Sequence, residues 1–190
     1  YDRVFRGLFA GMRDNISTID GKIKMFSGFM PDGIFDDIYA ITPEFLLSLG
    51  VRGLILDIDN TLVTYDDPDP TEKVAGWLEA MHDAGISTAF VSNNHRERVE
   101  EFCRNLDCFW LSDAGKPSRK GLFAAMEHMG TDVSSTAAVG DQVFTDVWAA
   151  KRCGMRSFLV PPIKDKTTLF FRFKRLLERP VLHAYYRSHK

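Results

Sequence analysis

Cysteine is scarce in this chain: among 190 residues only Cys103, Cys108 and Cys153 carry thiols. An odd number without CxxC spacing excludes a disulfide framework and a cysteine zinc site, and it fits reduced thiols used as apolar filler in a cytosolic protein. No window reaches the roughly 18 uninterrupted apolar residues of a membrane-spanning helix. No short apolar block follows a basic start as a secretory signal would. The chain begins at Tyr1 rather than methionine, so residues upstream are allowed for. His82, His95, His128, His183 and His189 lack ligand-like spacing and default to surface or helix positions. A GxxxxGKS/T loop is missing, which removes kinase and nucleoside triphosphatase readings. Internal repeats, low-complexity tracts and long linkers are missing too.

What remains suits one globular core with extra pieces at its ends. Residues 28–163 read as that core, residues 1–27 as an N-terminal amphipathic extension, and residues 164–190 as a basic amphipathic C-terminal segment. The net charge of −2 conceals an asymmetry. From Lys164 to Lys190 eight basic residues face Asp165 and Glu178, a balance of +6, which leaves −8 for residues 1–163. The tail is electrostatically a different object from the body.

From Gly53 onward, short apolar runs alternate with segments of helical period. Strands are expected near 53–59, 87–92, 108–111, 136–140 and 156–160, with helices near 72–84, 95–105, 118–130 and 145–153. Such alternation gives an α/β fold, a parallel sheet with helices on both faces. Gly85, Gly130 and Gly154 fall where helices should stop. Trp77, Trp110 and Trp148 are assigned to core or helix–sheet contacts.

Ligand sites in open parallel sheets lie beyond the carboxyl ends of the strands. Asp57 and Asp59 close the first strand, and side-chain alternation points both to one side. Ser92-Asn93-Asn94 closes the second strand, and Gly140-Asp141, followed by Thr145-Asp146, closes the fourth. Lys116 precedes Pro117 at a helix start, where proline is tolerated in the first turn. Carboxylates gathered on one rim repel unless something compensates them. A hard divalent cation does so, and magnesium fits best, because it takes one or two carboxylates together with waters and phosphate oxygens. Taken singly, each signal has a plainer account: a DxD can be a solvated turn, and SNN or GKP a loop and a helix start. Their order on successive strand ends is what points to chemistry.

Asp57-Ile58-Asp59-Asn60-Thr61, then Ser92, then Lys116, then Gly140-Asp141 with Asp146 resembles, in order, the four motifs of the haloacid dehalogenase superfamily of phosphohydrolases. Ile41-Thr42-Pro43, Val91-Ser92-Asn93-Asn94, Lys116-Pro117-Ser118-Arg119-Lys120-Gly121 and Val139-Gly140-Asp141-Gln142 through Phe144-Thr145-Asp146 look like its subfamily IIIA and the YqeG-type phosphatases. The resemblance spans residues 28–182. It implies a Rossmann-like core whose five parallel strands run in the order 3-2-1-4-5, counted from the strand of the first motif. It also implies roles. Asp57 would be the nucleophile that forms an aspartyl phosphate, and Asp59 the general acid and then base. Ser92 and Lys116, with Asn60 and Asn93, would hold phosphoryl oxygens. Asp57, Asp141 and the main-chain carbonyl of Asp59 would ligate Mg2+. Asp146 would support the ligands from outside, through Lys116; a capping aspartate on the following helix is the alternative.

Neither the loop after Asp59 nor the stretch from Lys116 to Asp141 has room for a cap domain, so the site is expected to be open and suited to a large phosphorylated substrate. Leu169, Phe170, Phe173, Leu176 and Leu177 recur at helical spacing among Arg172, Lys174, Arg175 and Arg179. That basic amphipathic pattern suits an anionic membrane surface. The plainer expectation is a terminal helix packing this stripe on the domain. Val4, Phe5, Leu8, Phe9 and Met12 form a second stripe that can pack or build a homodimer. The YqeG-type proteins resemble phosphatidylglycerophosphate phosphatases, which implies a phospholipid headgroup as substrate and peripheral contact with the inner membrane surface from the cytoplasmic side. A soluble or macromolecular phosphate is the alternative. A phospho-accepting or scaffold module is a third reading, opposed by Asp59, since accepting modules lack an acid/base two residues past the aspartate. No recognition motif supports nucleic-acid binding.

Overall fold

The computed structural model describes residues 26–164 and 169–188. Six parallel strands build one sheet: β1 (Gly33–Ile34), β2 (Gly53–Leu56), β3 (Ser87–Val91), β4 (Phe109–Leu111), β5 (Thr136–Gly140) and β6 (Arg156–Leu159), in the spatial order β1-β6-β5-β2-β3-β4. The five expected strands keep their expected order, and β1 adds a sixth at the edge of β6. Its two residues are too short for a periodic signal; Asp32 fixes them, accepting from the Ser157 amide and from Lys151. The first strand ends at Leu56 rather than at residue 59, although the Asp57 amide still donates to Val139 in the neighbouring strand.

The helices are α1 (Pro43–Ser48), α2 (Glu72–Asp83), α3 (Arg96–Cys103), α4 (Lys120–Met129), α5 (Trp148–Cys153) and α6 (Leu169–Ser188). Thr42 and Thr71 cap α1 and α2 by accepting from the Phe45 and Val74 amides. Gly130 and Gly154 end α4 and α5 at φ of 65° and 80°, a left-handed conformation that side chains disfavour. Pro117 lies ahead of α4 rather than in its first turn, because that helix begins only at Lys120.

Alternation along β2 divides the core. Leu54 and Leu56 pack with Leu46, Val74, Met81, Val99 and Phe102 from α1 to α3. Ile55 packs on the other face with Leu122, Ala125, Met126, Ala149 and Ala150 from α4 and α5. A strand buried on both faces reads as a continuous apolar run, which is why β2 carries no polar residue and β5 only Thr136 at its start. Trp77 ties α2 to the chain ahead of α1 by donating to the Ile41 carbonyl at 2.9 Å.

The C-terminal helix departs from expectation. It is held to the domain by Glu178, Val181, Ala184 and Tyr185, all buried, with Val181 packing against Val143, Val147 and Leu159. Phe173, Leu176 and Leu177 are 56%, 53% and 46% exposed, so the expected packing stripe faces outward there. The sequence stripe misled because the residues that seat the helix, Glu178, Val181, Ala184 and Tyr185, lie further on than the stripe and include a charged residue that no apolar pattern marks. The N-terminal stripe from Val4 to Met12 and the side chains of Leu169, Phe170, Arg172 and Lys174 lie outside the described residues.

Candidate active site

The carboxyl ends of β2, β3 and β5, with the loop after β4, enclose a cleft of about 320 Å³. Asp57, Asp59, Ser92, Asn93, Lys116 and Asp146 line it, together with Tyr65, Asn94, Gln142 and Thr145. Among the described residues neither the loop from Asn60 to Thr71 nor the stretch from Lys116 to Asp141 carries an inserted domain, so nothing from these slots roofs the cleft.

Lys116 is the hub. Its Nζ donates to Asp57 Oδ1 at 2.7 Å and to Asp146 Oδ1 at 2.6 Å, and all three side chains are buried. Burial alone would pull the lysine pKa down, but Asp146 and Asp57 outweigh it and leave the ammonium firmly charged. Asp57 also accepts from Thr61 Oγ1 at 3.2 Å. Desolvation nevertheless pushes its pKa up to about 6, against the pull of Lys116.

Asp146 is delivered by a π-helical turn, Val143–Val147, that leads into α5. Its second oxygen accepts from the Gln142 amide and the Thr145 hydroxyl; α5, which follows, has Val147 at its N-cap and no side-chain cap, so Asp146 holds the lysine and the turn rather than capping that helix. Gly140 makes the room: a Cβ there would collide with the Asp146 carboxyl group. Asp141 sits beside them, 1% exposed, raised to about 7 by desolvation and then by Asp57 and Asp146.

Asp59 is positioned from another side. Asn94 Nδ2 donates to its Oδ2 at 2.9 Å and Arg98 Nε to its Oδ1 at 3.0 Å. Arg98 also donates to the Pro68 and Thr64 carbonyls, tying α3 to the loop that follows the aspartates. Ser92 Oγ accepts from the Asn94 amide at 3.0 Å, which leaves its O–H to donate into the cleft. The Asn93 side chain exchanges two hydrogen bonds with the Lys116 main chain, at 2.6 and 3.1 Å, and so fixes the lysine loop. Asn60 stands apart. It is buried at φ 69°, its amide donates to the Val63 carbonyl, and its own carbonyl and side-chain oxygen accept from Ile163 and Lys164. It turns the chain beneath the site.

Sequence reasoning missed Arg98, Tyr65 and Arg175. Arg98 lies three residues past the α3 cap, a place where charged residues are common and uninformative. Arg175 reaches Asp141 from 34 residues further along the chain, and no local pattern marks such a contact.

Oxygens of Asp57, Asp141 and Asp146 lie within 4.8 Å of one another. Among the described residues the buried charges around them do not balance: Asp57, Asp59, Asp141, Asp146 and Glu178 meet Lys116, Arg98 and Arg175. The shortfall of two positive charges is that of one divalent ion, and an all-oxygen donor set with an open side fits a hard cation. These residues therefore fit a divalent metal.

The family model of the haloacid dehalogenase-like hydrolases matches residues 20–154. A curated relative, "Probable phosphatase YqeG" from Bacillus subtilis (strain 168), is 37% identical over 156 residues, covering 82% of this chain and 91% of that protein. Among solved structures, a hypothetical protein from Xanthomonas campestris aligns with a TM-score of 0.50 at 16% identity, over 76% of this chain and 92% of that one. An uncharacterized protein from Listeria monocytogenes serotype 4b gives the same score and identity over 62% and 85%. These structural likenesses speak for the fold, and the sequence matches speak for the chemistry. With its motif residues gathered on one rim of a parallel sheet, the chain belongs to the haloacid dehalogenase-like hydrolases and is a phosphatase of the YqeG type.

Proposed function

We propose that this phosphatase hydrolyses phosphomonoesters through an aspartyl phosphate on Asp57, with Mg2+ held by Asp57, Asp141 and the main-chain carbonyl of Asp59. The observation that carries the reading is the contact of Asp57 with Lys116 inside an open cleft that Asp59 also faces. A carboxylate oxygen of Asp57 attacks phosphorus while the ester oxygen leaves and takes a proton from Asp59. Water then attacks the same phosphorus, yields its proton to Asp59, and frees Asp57 and inorganic phosphate. Lys116 and the Ser92 hydroxyl hold phosphoryl oxygens and balance the charge that develops on them. Asp146 holds Lys116, and Asn93 fixes its loop. The ion, when bound, offsets the carboxylate charge and draws electron density from the phosphoryl group.

For the physiological substrate the reading is a phosphorylated lipid headgroup, phosphatidylglycerophosphate, met by a peripheral enzyme at the cytoplasmic face of an anionic membrane. Three features support it: no cap fills either insertion slot, Phe173, Leu176 and Leu177 face outward on α6, and the segment from Lys164 to Lys190 carries an excess of six positive charges. No described helix is long and apolar enough to cross a membrane. In this division of labour residues 28–163 carry the catalytic motifs and the basic segment of residues 164–190 meets the surface.

The test is phosphate release from an aryl phosphate, from soluble sugar phosphates and from phosphatidylglycerophosphate in anionic vesicles, each with magnesium and with chelator. Turnover of the lipid above the soluble esters supports the full reading. Magnesium-dependent turnover of soluble esters alone, with the lipid untouched, would remove the lipid and leave the chemistry.

A further inference from the structure

The C-terminal helix reaches into the site. Arg175 donates through Nη2 to Asp141 Oδ2 at 2.6 Å and through Nη1 to the Asp141 carbonyl at 2.7 Å. The same Nη1 bonds Glu178 Oε2 at 2.8 Å, and Glu178 Oε1 accepts from the Val143 amide at 2.9 Å. Two side chains one turn apart on α6 thus fix the side chain and main chain of Asp141 and the main chain two residues on, where the turn carrying Asp146 begins.

Docking of α6 does not call for these charges. Val181 already seats the helix on Val143, Val147 and Leu159, and a buried ion pair costs desolvation that apolar contacts avoid. What the pair adds is orientation: the donors of a planar guanidinium point in fixed directions and hold a carboxylate and its own carbonyl in one geometry, which the freely rotating ammonium of a lysine does not.

We propose that Arg175 and Glu178 form a positioning clamp for Asp141, so that divalent-cation affinity and the docking of α6 are one coupled equilibrium. This rests on the reading of Asp141 as a cation ligand and adds α6 to the site. Partners that orient metal ligands typically change affinity by about ten- to a hundredfold when removed. Coupling is reciprocal, so bound cation must in turn hold α6 more firmly to the domain.

The experiment is isothermal titration of the full chain with MgCl2, without substrate, on the wild type and on Arg175→Met, Arg175→Lys, Glu178→Gln and Asp141→Asn, with circular dichroism as the fold check. Arg175→Met should weaken magnesium by about tenfold or more, with Arg175→Lys recovering only part of the loss. Amide exchange over Arg175–Tyr185 should slow on adding magnesium in the wild type and stay unchanged in Arg175→Met. If Arg175→Met fails to fold, Glu178→Gln, which keeps an acceptor for the Val143 amide, carries the same expectation. Unchanged affinity overturns the clamp. Tighter binding overturns it too, because that is the result if Arg175 is a rival cation that the ion must displace. Wild type that binds no magnesium would sink the cation reading with it, whereas binding that Asp141→Asn abolishes and Arg175→Met leaves alone sinks the clamp only.

Discussion

Asp57 and Asp141 are buried carboxyls whose pKa values stand at about 6 and about 7 rather than the ordinary 3.8. A carboxyl raised in the folded state contributes stability while protonated and loses it as pH climbs through the folded value. Between those limits the ion-free protein therefore loses stability from this pair with rising pH, and a bound cation returns it by favouring the charged forms. Melting curves with magnesium and with EDTA should diverge at about pH 8 and nearly coincide at about pH 5; equal divergence at both would contradict the assignment. Gly140→Ala tests the room made for Asp146. The added methyl displaces that carboxylate from Lys116, so activity should fall by about tenfold or more, with stability down by roughly 1–3 kcal/mol, the usual cost of overpacking. Undiminished activity in that variant would contradict the role given to Asp146. At this scale Asp57, Asp59, Ser92 and Asp141 could be placed together from the sequence because each closely follows an apolar strand run, whereas Lys116 and Asp146 lie in the loop and the turn beyond β4 and β5. The positive φ of Asn60 and its bonds to Ile163 and Lys164 were not legible there, since nothing in DNT announces them. Arg98 and Arg175 were hidden because long side chains cross between elements, over 39 and 34 residues.

Among the elements, β2 and β5 were readable because burial on both faces forces short, mostly apolar strings, and α2 and α4 because a helical period runs to a stop at Gly85 and Gly130, both at positive φ. β1 has only two residues and is set by partners far along the chain, and a π-helical turn has no sequence period of its own. The seating of α6 was misjudged because amphipathicity states that a helix has two faces, and tertiary contacts decide which one is covered. The observed seating has a clean check by thermal melting. Val181→Ser, at a buried contact, should cost roughly 1–3 kcal/mol, while Leu176→Ser on the outward face should stay within about 0.5 kcal/mol of wild type. The reverse order would contradict the face assigned to the domain.

For the whole molecule, a body of charge −8 carries a tail of +6, and the outward residues of α6 belong to that tail. Cosedimentation with vesicles should rise with anionic lipid content and fall with salt, as surface attraction does. Phe173→Ser/Leu177→Ser should reduce that binding and leave aryl phosphate turnover intact; binding unaltered by either change would contradict the membrane-facing role of α6. The most direct measurement of the central claim concerns the phosphoryl group itself. With Asp59→Asn unable to activate water, incubation with magnesium and an aryl phosphate, whose leaving group needs no proton from Asp59, followed by acid quench and peptide mass mapping, should find a phosphoryl group on the peptide containing Asp57 and nowhere in Asp57→Asn/Asp59→Asn. A phosphoryl group on another residue, or undiminished turnover in Asp57→Asn, would contradict nucleophilic attack by Asp57.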